Sequence, residues 1–142
     1  MDRARLVEEI KLDEGCRLSA YQDDQGVWTI GWGHTGKSVG SGLVWSRKMA
    51  DTMLHNDIEI AVGALDHALP WWRDLDVVRQ NVLADMCFNL GITRLLKFQH
   101  MLAALEAHDF ARAADEMRNS YWAKQVGDRE TRLERMMRSG QF

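Results

Sequence analysis

Apolar positions recur at helical spacing along most of the chain and alternate in one short stretch near its start. Leu6, Val7 and Ile10 give a single apolar stripe to a helix that Asp2 can cap and that runs to about residue 13. Gly15 is a natural stop just beyond it. Over residues 17–22 and 27–30 the period changes to that of strands. Asp23-Asp24-Gln25-Gly26 between them reads as a turn, so the pair predicts a β-hairpin. Gly31-Trp32-Gly33-His34 alternates small with large residues, which lets backbone approach another element closely. Residues 37–42 form a Gly/Ser-rich loop. Ser46 then caps a long helix on which Met49, Met53, Leu54, Ile58, Ala61, Val62, Leu65 and Leu69 keep helical spacing. Some 22 residues at about 1.5 Å each span roughly 33 Å, enough to join two lobes.

Pro70-Trp71-Trp72 punctuates the end of that helix. Asp76 caps the next, over about 77–90, which is apolar nearly all round and is the expected buried centre of a helical lobe. Gly91 stops it. Helices over about 95–107 and 110–118, a short element beginning at Asn119 and a last helix over about 129–139 follow. The expected fold class is α+β and mostly helical, in a single domain. It comprises a small β lobe over about 14–45, a connecting helix over about 46–69, and a helical lobe from about 70–142 together with 1–13.

Composition narrows the function classes. A formal net charge of −3 lacks the basic footprint of a nucleic-acid binder. No apolar run is long enough to span a membrane, and the N-terminal stretch lacks the apolar segment of a signal peptide. The chain is therefore expected to stay in the cytoplasm until something releases it. Cys16, Cys87 and the histidines His55, His67, His100 and His108 show no metal-ligand spacing, so free thiols and no metal site are expected. Arg129, Arg132, Arg135 and Arg138 repeat every third residue, as an anionic-membrane stripe would. Asp128, Glu130 and Glu134 interleave with them and favour a solvated, salt-bridged face.

The candidate chemistry lies between Glu14 and His34. Glu14 sits at a helix end where the macrodipole is negative. It reads either as a solvated surface glutamate or as an acid whose protonated form that field favours. Asp23 reads as turn chemistry or as a second functional carboxylate. A calcium loop is excluded, because the alternating oxygen ligands and closing glutamate are missing. Thr29 alone would be an ordinary strand residue. Together, an acid, a carboxylate across a short hairpin and a nearby hydroxyl are the makings of a glycosidase centre.

These same residues carry a resemblance. Leu12-Asp13-Glu14-Gly15, the R-L-x-x-Y of Arg17 to Tyr21, Asp23, and the W-T-I-G-W-G-H of Trp28 to His34 resemble the phage-type lysozymes, endolysins of glycoside hydrolase family 24. The glutamate, the aspartate nine residues on and the threonine six beyond that share the family's spacing. N-D-I-E-I-A-V from Asn56, F-N-L-G from Phe88, S-Y-W from Ser120, Gly127 and Arg129 extend the likeness over nearly the whole chain. The short loop between His34 and Trp45, and a single arginine followed by Glu130, depart from the family pattern.

The resemblance implies a lysozyme-like fold and an endolysin. Such an enzyme hydrolyses the β-1,4 bond between N-acetylmuramic acid and N-acetylglucosamine in peptidoglycan, with inversion, to lyse the host cell. It implies that Glu14 is the general acid, that Asp23 activates water or stabilises the transition state, and that Thr29 positions the water. His34 pairs with Asp57 as a structural contact in this reading, with a free proton carrier as the alternative. Asn89, Trp32 and Arg129 are the candidates for substrate contact, Arg129 either through anionic peptide stems or by simply pairing with an acid. Trp122 packs behind the groove or is plain core. No cofactor is implied. The partner is the peptidoglycan glycan strand, met by a monomer released from the host cytoplasm once a holin permeabilises the inner membrane. A non-catalytic peptidoglycan-binding module on the same fold, and lytic transglycosylation, are the competing readings.

Overall fold

A computed structural model describes residues 1–142 in full. Helix α1 (Arg3–Glu14) leads into strands β1 (Arg17–Gln22), β2 (Trp28–Gly31) and β3 (His34–Thr35) and then the long helix α2 (Arg47–Ala68). Beyond a 3-10 turn at Pro70–Asp74 come α3 (Val77–Leu90), α4 (Ile92–Leu95), α5 (Gln99–Glu106), α6 (Phe110–Arg118), α7 (Tyr121–Val126) and α8 (Asp128–Ser139). The architecture is the α+β, mostly helical, lysozyme-like one expected, with a small antiparallel sheet at the N-terminal end.

The chain divides into two compact units, Ala4–Ile60 and Met1–Arg3 with Ala61–Phe142. In the first, α1 groups with the strands, whereas the pattern along the chain placed residues 1–13 with the later helices. The sheet has the order β1-β2-β3. Tyr21 faces Thr29, and on the other side Thr29 faces Thr35. An irregularity between Arg17 and Tyr21 bends β1. The outer edge of β1 is covered by the loop before α2. There the Ala20 amide donates to Leu43 O at 2.9 Å and the Trp45 amide to Leu18 O at 2.8 Å. That cover removes a free edge on which another chain could pair. Strand β3 has only two residues, too few for alternation to announce it. At Gly31, with φ +66°, a Cβ would lie 3.0 Å from the Trp45 ring, so the tight packing of β2 against the start of α2 requires glycine there.

In the second unit α3 is the buried centre, as its apolar circumference predicts. Val82, Leu83, Ala84, Met86 and Cys87 are all buried. The Asp76 side chain accepts from the Arg79 amide at the start of α3, and Gly91 ends the helix. Helix α3 packs on α4 and α8, while α6 packs on α5 and α8. The helix expected over 95–107 begins only at Gln99, and a short helix, α4, which was not expected, precedes it. After α4 the Lys97 and Phe98 amides donate to Arg94 O and Leu95 O at 3.1 and 3.0 Å. These tight three-residue bonds turn the chain before α5 begins.

The arginine repeat on α8 departs from expectation at its N-terminal end. Arg129 and Glu130 are buried, not solvated. Asp85 of α3 is fully buried. Its carboxylate accepts from Arg129 Nε at 2.8 Å and from Arg132 Nη2 at 3.5 Å. A buried charge needs a counter-charge, and the repeat supplies it. Only the distal end is the predicted salt-bridged face, where Arg138 donates to Glu134 at 2.8 Å and to Asp115 at 2.7 Å.

Candidate active site

Glu14, Asp23 and Thr29 all belong to the unit Ala4–Ile60. Glu14 is the last residue of α1. Gly15 at φ +65° follows it and donates its amide to Lys11 O at 3.0 Å, closing the helix in the left-handed way only glycine enters easily. The half-buried Glu14 side chain lies over Gly33 in the tight reversal between β2 and β3. A Cβ on Gly33 would stand 2.6 Å from Glu14 Oε2 and 2.8 Å from its Cδ. The backbone at Gly33 is therefore the seat of that carboxyl group. The second glycine of G-W-G was the signal for it, legible as a place of close approach but not as to what approaches.

Asp23 and Thr29 are tied together through Val27, a residue that sequence reasoning passed over. One oxygen of Asp23, Oδ1, accepts the amides of Gln25 and Val27, both at 2.9 Å. The Asp23 amide donates back to Val27 O at 2.9 Å. The Thr29 hydroxyl donates to the same Val27 carbonyl at 3.0 Å. The bonds that make the turn also fix one oxygen of the carboxylate. Asp23 is exposed and its Oδ2 carries no protein hydrogen bond, whereas Thr29 is only 5% exposed.

His34 meets Asp57 as the resemblance implied, Nδ1 to Oδ2 at 2.7 Å, both side chains partly shielded. Its ring also stands 5.3 Å from that of Trp45. Trp32 differs from the substrate-contact role. It is 7% exposed, its indole N–H donates to Asp51 at 2.8 Å, and Lys11 and Arg47 flank its ring. That indole N–H and the lysine beside it hold the Asp51 carboxyl below the usual carboxylate range.

In the other unit, Arg129 takes the simpler of its two roles, since its guanidinium is buried on Asp85. The Asn89 carbonyl accepts the Trp122 indole N–H at 2.8 Å, and Trp122 is buried with Phe98 edge-on at 6.2 Å. Asn89 and Trp122 therefore form a packing pair. Beside them opens a pocket of about 340 Å³ bounded by Phe98, Trp122, Tyr121, Arg94 and Lys97. None of Glu14, Asp23 or Thr29 lines it. The cysteines are both free, Cys16 half-buried and Cys87 buried, its thiol pushed up to about 11 by desolvation.

Comparison with known proteins supplies independent context. The pattern defining the phage lysozyme family matches residues 11–138. The probable T4-type lysozyme 1 of Dictyostelium discoideum is 25% identical, over 95% of this chain and 94% of that protein. The endolysin of Acyrthosiphon pisum secondary endosymbiont phage 1 is 31% identical, over 84% and 80% respectively. The endolysin of Salmonella phage P22 is 30% identical, over 71% and 76%.

Proposed function

The chain belongs to the phage lysozyme family and is a glycoside hydrolase of the lysozyme type, and from that premise we propose that it cleaves the β-1,4 bond between N-acetylmuramic acid and N-acetylglucosamine in peptidoglycan with inversion. Glu14 acts as the general acid that protonates the departing glycosidic oxygen. Asp23 acts as the base that takes a proton from the attacking water. An inverting pair stands about 6.5–9.5 Å apart so that the water fits between the sugar and the base.

The observation that carries the reading is the hydrogen bonding around Val27. A threonine hydroxyl has one proton, and Thr29 has given its own to Val27 O. Towards a water molecule it can only accept. Asp23 has one oxygen fixed by two amides and the other open. A water that donates one proton to Thr29 and the other to Asp23 keeps its lone pairs for the anomeric carbon. The arrangement thus selects a nucleophilic orientation before substrate arrives. In the same reading the protein works as a monomer and reaches the wall from the host cytoplasm after a holin has opened the inner membrane.

The test is lysis of outer-membrane-permeabilised Gram-negative cells by the wild type and by Glu14→Gln. The wild type should clear the suspension, and the variant should lose about 100-fold or more of the rate. A binding module would clear it in neither form. Mass spectrometry of the released muropeptides should show hydrated reducing ends, since anhydro ends would mean transglycosylation. The first-formed anomer, followed by proton NMR, decides inversion.

A further inference from the structure

The reversal between β2 and β3 seats the Glu14 carboxyl, and Trp32 anchors that reversal. We propose that Trp32 is a positioning residue for Glu14, its indole bond to Asp51 fixing the Gly33 backbone on which the acid rests. This rests on the assignment of Glu14 as the general acid and deepens it.

The reversal is soft by composition. Gly31 and Gly33 flank Trp32, and both take positive φ, +66° and +80°. Glycine adopts either sign of φ at little cost, so two of them leave the backbone free to swing. One side chain lies between them to hold it. The Trp32 ring is buried, and its N–H donates to Asp51 Oδ1 on α2 at 2.8 Å. Its influence on the reaction therefore passes through the backbone it holds, and the neighbouring residue in that backbone is Gly33.

The helix end that carries Glu14 converges on the same carboxylate. The Gly15 amide that closes α1 donates to Lys11 O at 3.0 Å. The Lys11 ammonium stands 3.6 Å from Asp51 Oδ1 and 5.1 Å from the centre of the Trp32 ring. Asp51 thus ties together the helix that ends in the acid and the turn that seats it. Of the two ties the indole bond is the stronger. It is shorter and its donor is buried, whereas the lysine pair is partly exposed, and such pairs contribute little. The indole bond is also the leading cause of the lowered Asp51 pKa. A general acid must meet the departing oxygen within hydrogen-bond reach, and a displacement of about 1 Å can cost about 100-fold in rate. Loosening the seat therefore acts on kcat, not on glycan binding.

The experiment measures kcat and KM separately on soluble uncrosslinked glycan strands. Trp32→Phe keeps an aromatic ring and removes the N–H. Asp51→Ala removes the acceptor, while Asp51→Asn keeps an acceptor oxygen without the charge. Asp51 is only half-buried, so its variants report even where Trp32→Phe is too unstable to assay. Trp32→Phe and Asp51→Ala should each lower kcat roughly tenfold with KM within about twofold. The double variant should be no slower than either single one, because the same bond is lost in all three. Asp51→Asn should keep kcat within about twofold of wild type. Binding of the strands to Glu14→Gln should not change when Asp51→Ala is added. An unchanged kcat in Asp51→Ala would overturn the proposal, as would a rise in KM, weaker strand binding or additive losses in the double variant. Asp51→Asn as slow as Asp51→Ala would overturn it too, since the indole bond would then not be the cause. An inactive wild type would instead refute the catalytic reading itself.

Discussion

Two residues illustrate how single atoms set the properties of this protein. Gly33 has neither room nor backbone freedom for a side chain. Its φ is +80°, and a Cβ would meet the Glu14 carboxyl well inside van der Waals contact. Gly33→Ala should therefore displace the acid and lower kcat/KM at least about tenfold. Its stability cost should be only about 1–2 kcal/mol, that of forcing an L-residue into the left-handed region. Denaturant unfolding beside the lysis assay separates the two effects. Glu130 is the opposite case, a carboxyl where charge is unwelcome. Burial, then the nearby charge of Glu134, raise its pKa against a smaller opposing effect from Arg118. One of its oxygens is buried without a hydrogen-bond partner. A carboxyl whose folded pKa exceeds its unfolded one lowers stability as pH rises from the ordinary value of 4.5 through the folded value. Glu130→Gln should thus be more stable than wild type at neutral pH, and the gain should vanish below that ordinary value. Urea unfolding over a pH series checks it.

Among the elements, α8 owes its seat to α3. Its N-terminal turns bring Arg129 and Arg132 to the fully buried Asp85. Removing the acid leaves the Arg129 charge buried without its counter-ion, so Asp85→Ala should cost about 3–5 kcal/mol. Thermal unfolding of the variant should show a large drop in Tm. Substitutions of the exposed Arg135 should leave Tm nearly unchanged, as surface changes generally do. How legible the elements were depended on how local their causes are. The caps at Asp76 and Ser46, the stop at Gly91 and the hairpin turn at Asp23 are settled within a few residues, and each was readable. The break between α4 and α5 was not. No proline or glycine marks it, and the bonds that make the turn at Leu96–Phe98 are available to almost any side chain.

For the whole molecule, the two thiols report on folding. Each compact unit holds one, Cys16 in the first and Cys87 in the second. No disulfide constrains the chain, so a reductant should leave Tm unaltered. Cys87 is buried, with its thiol pushed up to about 11, so the reactive thiolate is scarce as well as shielded. A maleimide at neutral pH should modify Cys16 in the native protein. Cys87 should react only as the unit from Ala61 to Phe142 opens, and mass spectrometry of the labelled chain distinguishes the two.

From its sequence alone this protein's fold class, most of its helix limits and its catalytic candidates were available. Period, caps and turns act between near neighbours, and Glu14, Asp23 and Thr29 lie within sixteen residues. The partners of its charges and aromatics were decided by the tertiary structure. Trp32 looked like a surface for a sugar until Lys11, Arg47 and Asp51 were seen to enclose it. The arginines of α8 looked solvated until Asp85, 44 residues before Arg129, appeared beneath them. A periodic pattern says which residues share a face. What that face meets is determined by packing between distant segments, and burial then reverses the energetic meaning of a charge.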